Sequence, residues 1–346
     1  MPLVGLRPLL TAALALASPR IARAAPPSLT FAGHAGLFQD LYDSAVLAPF
    51  EQTHPEALVF YYAMPSPTQA LATLRRQRQQ PQIDVVLLDL ASARAATQEG
   101  LLEPLTPSAF PDLTPTAFFP GIAGPALFSE PLVLLYDPAI GRPPTSWLAL
   151  WNTPGERQIA IPAPPDPAGI AFTLTAGRLF GNGNDTVAVE GGINAIAGLG
   201  RRVISWDPRP DVYNLIADRG ARLGIGWNMA AQVMADRRPG RLAAAFPAEG
   251  TLSRVTTVNL VKGARRPDAA RQLIAHMMSQ QAQKAMVERL YLGPMNTRAR
   301  YAAAALTRTA STKDRAGNAL AVDWLAAEQM HDFIQTRWRA LVPTAG

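Results

Sequence analysis

The chain has 346 residues, of which 48% are hydrophobic and 17% charged, and its formal net charge is +6. This composition excludes an intrinsically disordered protein, and the length favours two domains or one domain in two lobes. Cysteine is absent, which excludes disulfides and thiolate metal sites. Only three lysines occur and no basic block is interleaved with aromatics, so nucleic acid is not expected as a partner.

Residues 1–24 have the pattern of a secretion signal. Arg7 gives the positive end, "PLLTAALALA" the short apolar region, and Ala22-Arg23-Ala24 a small-x-small cleavage site. A membrane anchor is the competing interpretation, but Pro19 and Arg20 end the apolar run below the length of a spanning helix. We therefore predict export to the periplasm with cleavage near Ala24, which lowers the formal charge to +3 because the segment carries three arginines and no acid.

The first third of the chain alternates between strand and helix patterns. "LTFAG" (29–33) predicts a strand, followed by a helix with Leu41, Ala45, Val46 and Phe50 on one face. "TQALATLRRQRQQ" predicts a second helix, and the continuous apolar run "IDVVLLDL" (83–90) predicts a strand covered on both faces. This alternation is typical of βαβ units.

The middle of the chain continues the pattern. "DVYNLIADRG" predicts a helix with Asp211 as N-cap and Gly220 as C′. Four segments predict further strands: "RQIAIPA", "RRVISW", "ARLGIGW" and "RLAAAF". The predicted fold is α/β, with mostly parallel sheets arranged in two lobes.

Catalytic and cofactor motifs are absent. The sequence has no G-x-S-x-G, H-E-x-x-H, P-loop or dinucleotide-binding fingerprint, so we predict neither an enzyme nor a cofactor. No two of the four histidines share a metal-ligand spacing, so no metal site is predicted. His276 fits a packed position on a helix. His34 follows Gly33 just past the first strand, where open α/β sheets bind ligands, although loop and cap roles are common there too.

The order of several segments resembles a known family. These segments include "TFAGHAGLFQDLYDSAVLAPFEQTHP", "QALATLRRQRQQPQIDVVLLD", "PPTSWLALWN", "IAIPAPPDPAGIAFTL", "LGIGWNMAA", "PAEGTL" and "KGARRPDAARQLIAHMMSQQAQKAMVERLYLGPMN". Over residues 29–298 they are similar to the periplasmic solute-binding proteins of bacterial ABC importers, in the branch of spermidine/putrescine, ferric-iron and phosphonate binders.

The resemblance implies a fold and a set of partners. The fold is the type II periplasmic binding protein plan, in which two α/β lobes are joined by a hinge that the chain crosses twice in strands. It places residues 25–130 plus 255–300 in lobe 1, and residues 131–254 plus 301–346 in lobe 2. It also implies a monomer that closes on a small-molecule solute and delivers it to the importer's permease subunits.

Departures from the family's ligand positions indicate the kind of solute. Polyamine binders carry a Trp and an Asp where this chain has Arg254 and Thr256, so the grip on an ammonium group is absent. Ferric-iron binders carry a Tyr-Tyr pair near the segment that here ends in Trp227 and Asn228. "PDPAGIAF" resembles a turn before a helix, and helix N-termini attract anions. We therefore predict an anionic or zwitterionic solute bearing a carboxylate or phosphonate.

Arg254 is the central residue of this prediction. Its planar guanidinium suits a carboxylate or phosphonate, together with the turn formed by Asp166, Ala168 and Gly169. The alternative is a surface arginine paired with Glu249 or Asp166.

Other candidates have two interpretations each. Trp227 is either a platform for the solute or part of the core, and Asn228 follows it. Ser66 and Thr68 either cap a helix or offer hydroxyls to the cleft. The full set of predicted ligand-binding residues is Gly33, His34, Ser66, Thr68, Asp89, Asp166, Ala168, Gly169, Trp227, Asn228, Arg254 and Thr256.

Two other functions stay open at this point. One is a polyamine or ferric-iron receptor with displaced ligands, for which Glu130, Asp89 and Tyr136 are the candidates. The other is a secreted α/β hydrolase whose Ser, His and acid converge from distant segments.

Overall fold

The computed structural model describes residues 28–181, 185–207 and 211–342, so the predicted signal segment lies outside the described residues. The strands are β1 (Leu29–His34), β2 (Val59–Met64), β3 (Val85–Asp89), β4 (Leu102–Glu103), β5 (Ala126–Tyr136), β6 (Ile159–Ala160), β7 (Leu223–Trp227), β8 (Ala243–Ala245), β9 (Ser253–Val261) and β10 (Gly293–Pro294). The α-helices are α1 (Leu37–Tyr42), α2 (Ala48–Thr53), α3 (Pro67–Arg76), α4 (Leu90–Gln98), α5 (Ala149–Asn152), α6 (Pro167–Phe180), α7 (Thr186–Ala197), α8 (Val212–Ala217), α9 (Asn228–Arg237), α10 (Pro267–Met278), α11 (Gln280–Leu290), α12 (Ala303–Leu306), α13 (Lys313–Gly317), α14 (Trp324–Gln329) and α15 (His331–Leu341).

The strands form a sheet in the order β2-β1-β3-β9-β5-β7-β6, with β4 paired to β9 and both β8 and β10 paired to β5. Strand β5 changes partner halfway along its length. Its first half, up to Pro131, pairs with β9, and its second half, from Leu132, pairs with β7. The fold is α/β and two-lobed, as predicted, and β5 and β9 lie at the junction of the lobes.

The prediction of mostly parallel sheets is wrong. Only the β1–β2, β1–β3 and β6–β7 pairs are parallel among the described strands. Strands β5 and β9 run antiparallel to every neighbour they have. Because these two strands connect the lobes, each inserts an antiparallel strand into a sheet that βαβ units would otherwise make parallel.

Each lobe buries apolar side chains on both faces of its part of the sheet. In the first lobe, Phe31 and Phe50 belong to the cluster under α1, α2, α10 and α11, while Val86 belongs to the cluster under α3 and α4. In the second lobe, Trp147 and Ile225 belong to the cluster under α6 and α7. These clusters confirm that the run at 83–90 is a strand covered on both faces.

Two local predictions are wrong. "RRVISW" was expected to be a strand, but residues 200–202 form a 3-10 turn and only Val203 makes a bridge, to Ile159. Helix α8 begins at the Asp211 cap as predicted, since the carboxylate accepts from the Asn214 N–H, yet Arg219 rather than Gly220 has the left-handed conformation that follows the helix. The sequence pattern therefore predicted the helix correctly but placed its C-terminal end one residue too late.

A π-helical turn, Asp43–Leu47, separates α1 from α2. Side chains from α10 and α11 bond to its backbone. Arg289 Nη1 donates to the Ser44 carbonyl at 3.0 Å, and His276 Nε2 lies 2.9 Å from the Val46 carbonyl oxygen. His276 is therefore a packed structural histidine, as predicted.

The C-terminal segment returns to the second lobe. Trp338 of α15 donates from Nε1 to Thr173 Oγ1 at 2.8 Å, which attaches the last helix to α6. Trp324 of α14 donates from Nε1 to the Ser253 carbonyl at 2.9 Å, at the start of β9. Helix α14 also contacts α4 of the first lobe. The segment between β10 and α14 is thus a third passage between the lobes, outside the sheet.

We predict that Gly169→Ala destabilises the protein through overpacking. A Cβ at Gly169 would lie 2.4 Å from the Pro162 carbonyl oxygen and 2.8 Å from the Ala163 carbonyl carbon, so backbone must shift. The expected loss is about 1–3 kcal/mol in the free energy of unfolding, measured by urea denaturation. Gly317→Ala is the matched control, because nothing lies within 4 Å of that Cβ, and it should be neutral or slightly stabilising.

Candidate functional site

Polar side chains meet where the strands end at the junction of the lobes. His34 ends β1 and Asp89 ends β3, and these parallel strands are neighbours. Asp89 pairs with Thr256 of β9. Arg254, two residues before Thr256 in the same strand, pairs with Glu130 of β5. We call this group, with Trp227 at the end of β7, the seam.

The seam is at the place where open α/β sheets bind ligands, outside the carboxyl ends of parallel strands. It draws its side chains from five neighbouring strands and from both lobes, so anything bound there contacts both. A separate notch of about 380 Å³, lined by Gln77, Arg78 and Lys262 among others, lies at the opposite end of β9 and shares no residue with the seam. The seam is therefore the better candidate for a functional site.

Arg254 is held by a carboxylate beside it and an aromatic ring beneath it. Its Nε and Nη2 donate to Glu130 Oε2 at 3.0 and 2.5 Å. Its guanidinium carbon lies 4.3 Å from the centre of the Trp227 ring. Among the described residues Nη1 has no hydrogen-bond partner. Because a guanidinium is a planar fork, the edge formed by Nη1 and Nη2 remains able to bind a carboxylate or phosphonate.

Glu130 is the buried anchor of this arrangement. Its side chain is 2% exposed, against 36% for Arg254. Its second oxygen, Oε1, accepts from the Met229 N–H in the first turn of α9 at 2.9 Å. A buried carboxylate is costly unless it is paired and hydrogen-bonded, and here both oxygens are used. Glu130 therefore fixes Arg254 and the start of α9 relative to the crossing strand.

Trp227 is fixed by Tyr213 rather than left as a loose platform. The Tyr213 hydroxyl accepts from the Trp227 N–H at 2.8 Å and donates to the Trp227 carbonyl at 3.2 Å. Burial raises the pKa of Tyr213, with the Glu130 charge adding to the shift and Arg254 opposing it. Trp227 is half-buried, packs beside the second lobe's core, and still stacks on Arg254. The structure thus shows the core packing of Trp227, while its role as a platform for the solute stays a prediction.

His34 lies on the first-lobe side of the seam as a neutral imidazole. Its Nε2 is 3.5 Å from Thr256 Oγ1, and its ring meets Phe38 edge-on at 5.2 Å between centroids. Burial, and secondarily the Arg254 charge, lowers the pKa of His34 to about 3. The neutral ring can donate or accept a hydrogen bond but adds no charge.

Asp89 and α14 bring acidic groups to the same edge. Asp89 Oδ1 accepts from the Ser92 N–H at 2.7 Å and so caps α4. Glu328 of α14 has a raised pKa, chiefly from burial, with Asp89 and Asp332 adding to it and His331 opposing it. The Asp89 cap thus lies within electrostatic reach of a helix carried by the second lobe.

The start of α6 is organised by its own cap. Asp166 Oδ1 accepts from the Ala168 N–H at 2.8 Å, so this N–H, which the sequence suggested for an anion, is bonded within the protein. Gly169 allows the helix to approach the backbone at Pro162. Asp166 also acts electrostatically on Tyr213, which places the start of this helix beside the seam.

The remaining predicted residues have structural contacts of their own. Ser66 Oγ accepts from the Gln69 N–H at 3.2 Å and caps α3, whereas Thr68 is exposed on that helix. Gly33 faces the Tyr61 hydroxyl, which a Cβ would meet at 2.4 Å. Asn228 is fully buried. Its amide donates to the carbonyls of Tyr291 and Arg308 and accepts from Gln232.

Glu130 is the residue whose role the sequence analysis missed, since the carboxylates suggested as partners of Arg254 were Glu249 and Asp166. Glu249 instead accepts from Ser146, on the second lobe. One signal was present: Glu130 is the single acid in the apolar run "ALFSEPLVLLY", and a carboxylate in a buried strand requires a partner.

The described part of the chain offers neither a metal site nor a membrane span. Within 28–181, 185–207 and 211–342, no three His, Asp or Glu side chains gather as metal ligands would. In the same ranges, no helix has the length and apolar character needed to cross a membrane.

Comparison with known proteins identifies the family of the chain. The model of the family described as "Bacterial extracellular solute-binding protein" matches residues 45–313. No curated protein sequence matches the chain.

Many solved structures are similar in fold. An ABC transporter substrate-binding protein from Bradyrhizobium japonicum has a TM-score of 0.76 at 18% identity, over 91% of this chain and 99% of that one. The periplasmic binding protein MotA from A. tumefaciens B6, solved with glucopine, has a TM-score of 0.73 at 18% identity over the same shares. AgtB from A. tumefaciens R10, solved with agropinic acid, has a TM-score of 0.71 at 16% identity, over 91% and 98%.

We predict that His34 makes stability depend on pH. Its folded-state pKa lies below the unfolded value of about 6.5, so the neutral, half-buried ring stabilises fully above pH 6.5 and progressively less as the pH falls towards 3. Between pH 7 and 5, wild type should lose about 1–2 kcal/mol more than His34→Gln, measured by urea unfolding at each pH. Parallel stability profiles for the two proteins would contradict a neutral, half-buried His34.

Proposed function

The chain belongs to the bacterial extracellular solute-binding proteins, and on this premise we propose that it captures a small organic acid or zwitterion in the seam. The family binds solutes rather than converting them, so the chain is a receptor and not an enzyme. In the proposed cycle, two lobes close on the solute, and the loaded protein delivers it to the permease subunits of an ABC importer in the inner membrane.

One observation carries the choice of solute: the outer edge of Arg254 is held in place and left open. Glu130 takes the inner edge of the guanidinium and Trp227 supports its face. A receptor group that is already oriented loses little conformational entropy on binding. A carboxylate or phosphonate with two oxygens in one plane fits the remaining edge in bidentate fashion.

The charges around the seam favour a zwitterion over a simple anion. Glu130 already balances Arg254, and His34 is neutral. Asp89 adds negative charge at the end of β3. A solute that brings an ammonium group together with its acidic group leaves less charge unbalanced in the closed site. Two proteins of similar fold were solved with glucopine and with agropinic acid, and the latter is an acid by name.

The proposed motion is a hinge closure at β5 and β9. Of the ranges predicted from the sequence, we assign the described residues of 25–130 plus 255–300 to lobe 1 and the described residues of 131–254 plus 301–346 to lobe 2. The partner change in β5 at Pro131 and the separate apolar clusters on either side of it support this division. Since Arg254 and Glu130 lie at the crossing itself, binding at Arg254 and closure of the lobes would be one event.

We predict that solute binding depends strongly on Arg254. A thermal-shift screen over amino acids, carboxylates, phosphonates and polyamines identifies the solute, because a ligand of the folded state raises the melting temperature. Calorimetry should then show Arg254→Ala weakening binding by about 2–5 kcal/mol, roughly 30-fold to several thousand-fold. Arg254→Lys should restore only part of the affinity, because an ammonium lacks the planar fork.

Two further variants make this result interpretable. Arg254→Ala leaves the buried Glu130 carboxylate without its partner. The double variant R254M/E130Q removes both charges, so it should be more stable than Arg254→Ala while still failing to bind the solute. Arg238→Ala is the matched control, since Arg238 forms an exposed pair with Asp218 and its loss should change affinity by under about 1 kcal/mol. Wild-type affinity in Arg254→Ala, or preference for polyamines, would refute the proposal.

We also predict that the solute compacts the molecule. Small-angle scattering should give a smaller radius of gyration at saturating solute than without it, because the lobes approach each other about β5 and β9. The R254M/E130Q protein at the same solute concentration is the control and should keep the larger radius. An unchanged wild-type radius at saturation would contradict hinge closure.

A further inference from the structure

An arginine-rich surface lies at the end of the second lobe remote from the seam. Three backbone hydrogen bonds assemble it. The Arg157 N–H donates to the Arg201 carbonyl at 2.9 Å, the Gln158 N–H to the Arg202 carbonyl at 2.7 Å, and the Arg222 N–H to the Gln158 carbonyl at 2.8 Å. Four arginines from three separate segments therefore adjoin one another. With Arg219, three residues before Arg222, they form what we call the arginine face.

Few acids balance this face. Glu156 lies 3.3 Å from Arg201 in an exposed pair, and Asp137 lies 3.5 Å from Arg219. The neighbouring Asp218 is already paired with Arg238. Among the described residues, the guanidiniums of Arg202 and Arg222 have neither a hydrogen-bond nor an ion-pair partner. Five arginines against two acids leave a local excess of positive charge directed to solvent.

Two arginines of the face have an unfavourable backbone conformation. Arg157 and Arg219 have positive φ values of 56° and 59°. This left-handed region is unfavourable for residues with a Cβ, and glycine would occupy it without strain. Arginine at both positions keeps two guanidiniums on the face where local geometry favours glycine.

The position of the face separates it from solute binding. Arg222 immediately precedes the first residue of β7, and Trp227 at the other end of that strand belongs to the seam. The strand's length places the two about 17 Å apart. A surface bound at the arginine face therefore leaves the seam accessible.

We propose that the arginine face binds the surface of an anionic phospholipid bilayer. Guanidiniums on an outward face suit a plane of phosphate groups, which they contact in bidentate fashion. The inference rests on the proposed function in one respect: delivery to a membrane permease requires the protein to work near a bilayer. Association through this face raises the concentration of loaded and empty receptor at that surface.

Sedimentation with vesicles tests the proposal on the full-length mature protein. The vesicles contain phosphatidylcholine with about one third phosphatidylglycerol, and no protein. Wild type should sediment with them at about 50 mM salt and be released at about 500 mM, because salt screens the attraction. Each guanidinium near an anionic surface contributes about a fivefold factor in partitioning, so R202Q/R222Q should partition roughly 30-fold more weakly.

A matched variant separates the face from overall charge. Arg271 of α10 and Arg300 of the loop after β10 are exposed and lie outside the arginine face, and R271Q/R300Q lowers the net charge equally. It should partition within about threefold of wild type. Equal losses in the two double variants, no wild-type binding at low salt, or equal binding to pure phosphatidylcholine would overturn the proposal. So would binding only to membranes that contain an importer, which would indicate a protein partner.

The solute provides an independent check. R202Q/R222Q should bind the screened solute with wild-type affinity and should unfold at the wild-type temperature, which shows that the protein is folded. If R202Q/R222Q no longer binds vesicles but still binds the solute, the result supports membrane binding by the arginine face, independently of the solute site. Vesicle binding by a protein that binds no acidic solute would leave the face standing and refute the proposed function.

Discussion

The ion pair between Glu130 and Arg254 is the constraint on which the centre of the molecule depends. Glu130 is almost fully buried in the strand that crosses between the lobes, so its charge requires compensation. Arg254 supplies that compensation from the other crossing strand, and the Met229 N–H uses the second carboxylate oxygen. The pair thereby fixes the register of β5 against β9 and the start of α9. The pair therefore lies where the two lobes join, with one partner on each crossing strand.

Much of the fold could be predicted from the sequence because local signals agree with the tertiary structure. The apolar run at 83–90 is a strand buried on both faces, and Asp211 caps its helix. Strand direction could not be predicted, since parallel and antiparallel neighbours bury the same residue types and only the chain path through the hinge decides. The strand predicted for "RRVISW" is wrong for a similar reason. Its β-branched residues at 203–204 favour a strand, but the segment pairs with β6 only through the single bridge of Val203.

The candidate site was predictable residue by residue but not as an assembly. Arg254 stood out because an isolated arginine begins an apolar strand, and His34 and Asp89 because they end strands. The pairing of Arg254 with Glu130 joins residues 124 positions apart and depends on strand register, which periodicity does not specify. The same limit applies to Ala168, because the sequence places a helix start there but does not show that Asp166 already occupies its N–H.

The third passage of the chain, through α12 and α13 to α14, bears on how many ways the lobes can move. Two adjacent strands alone allow both bending and twisting about their axis. A third connection displaced from that axis, with Trp324 bonded to the start of β9 and α14 in contact with α4, resists twisting more than bending. We therefore expect the hinge to act with close to a single degree of freedom. Such a hinge returns the two halves of the seam to the same relative position at every closure.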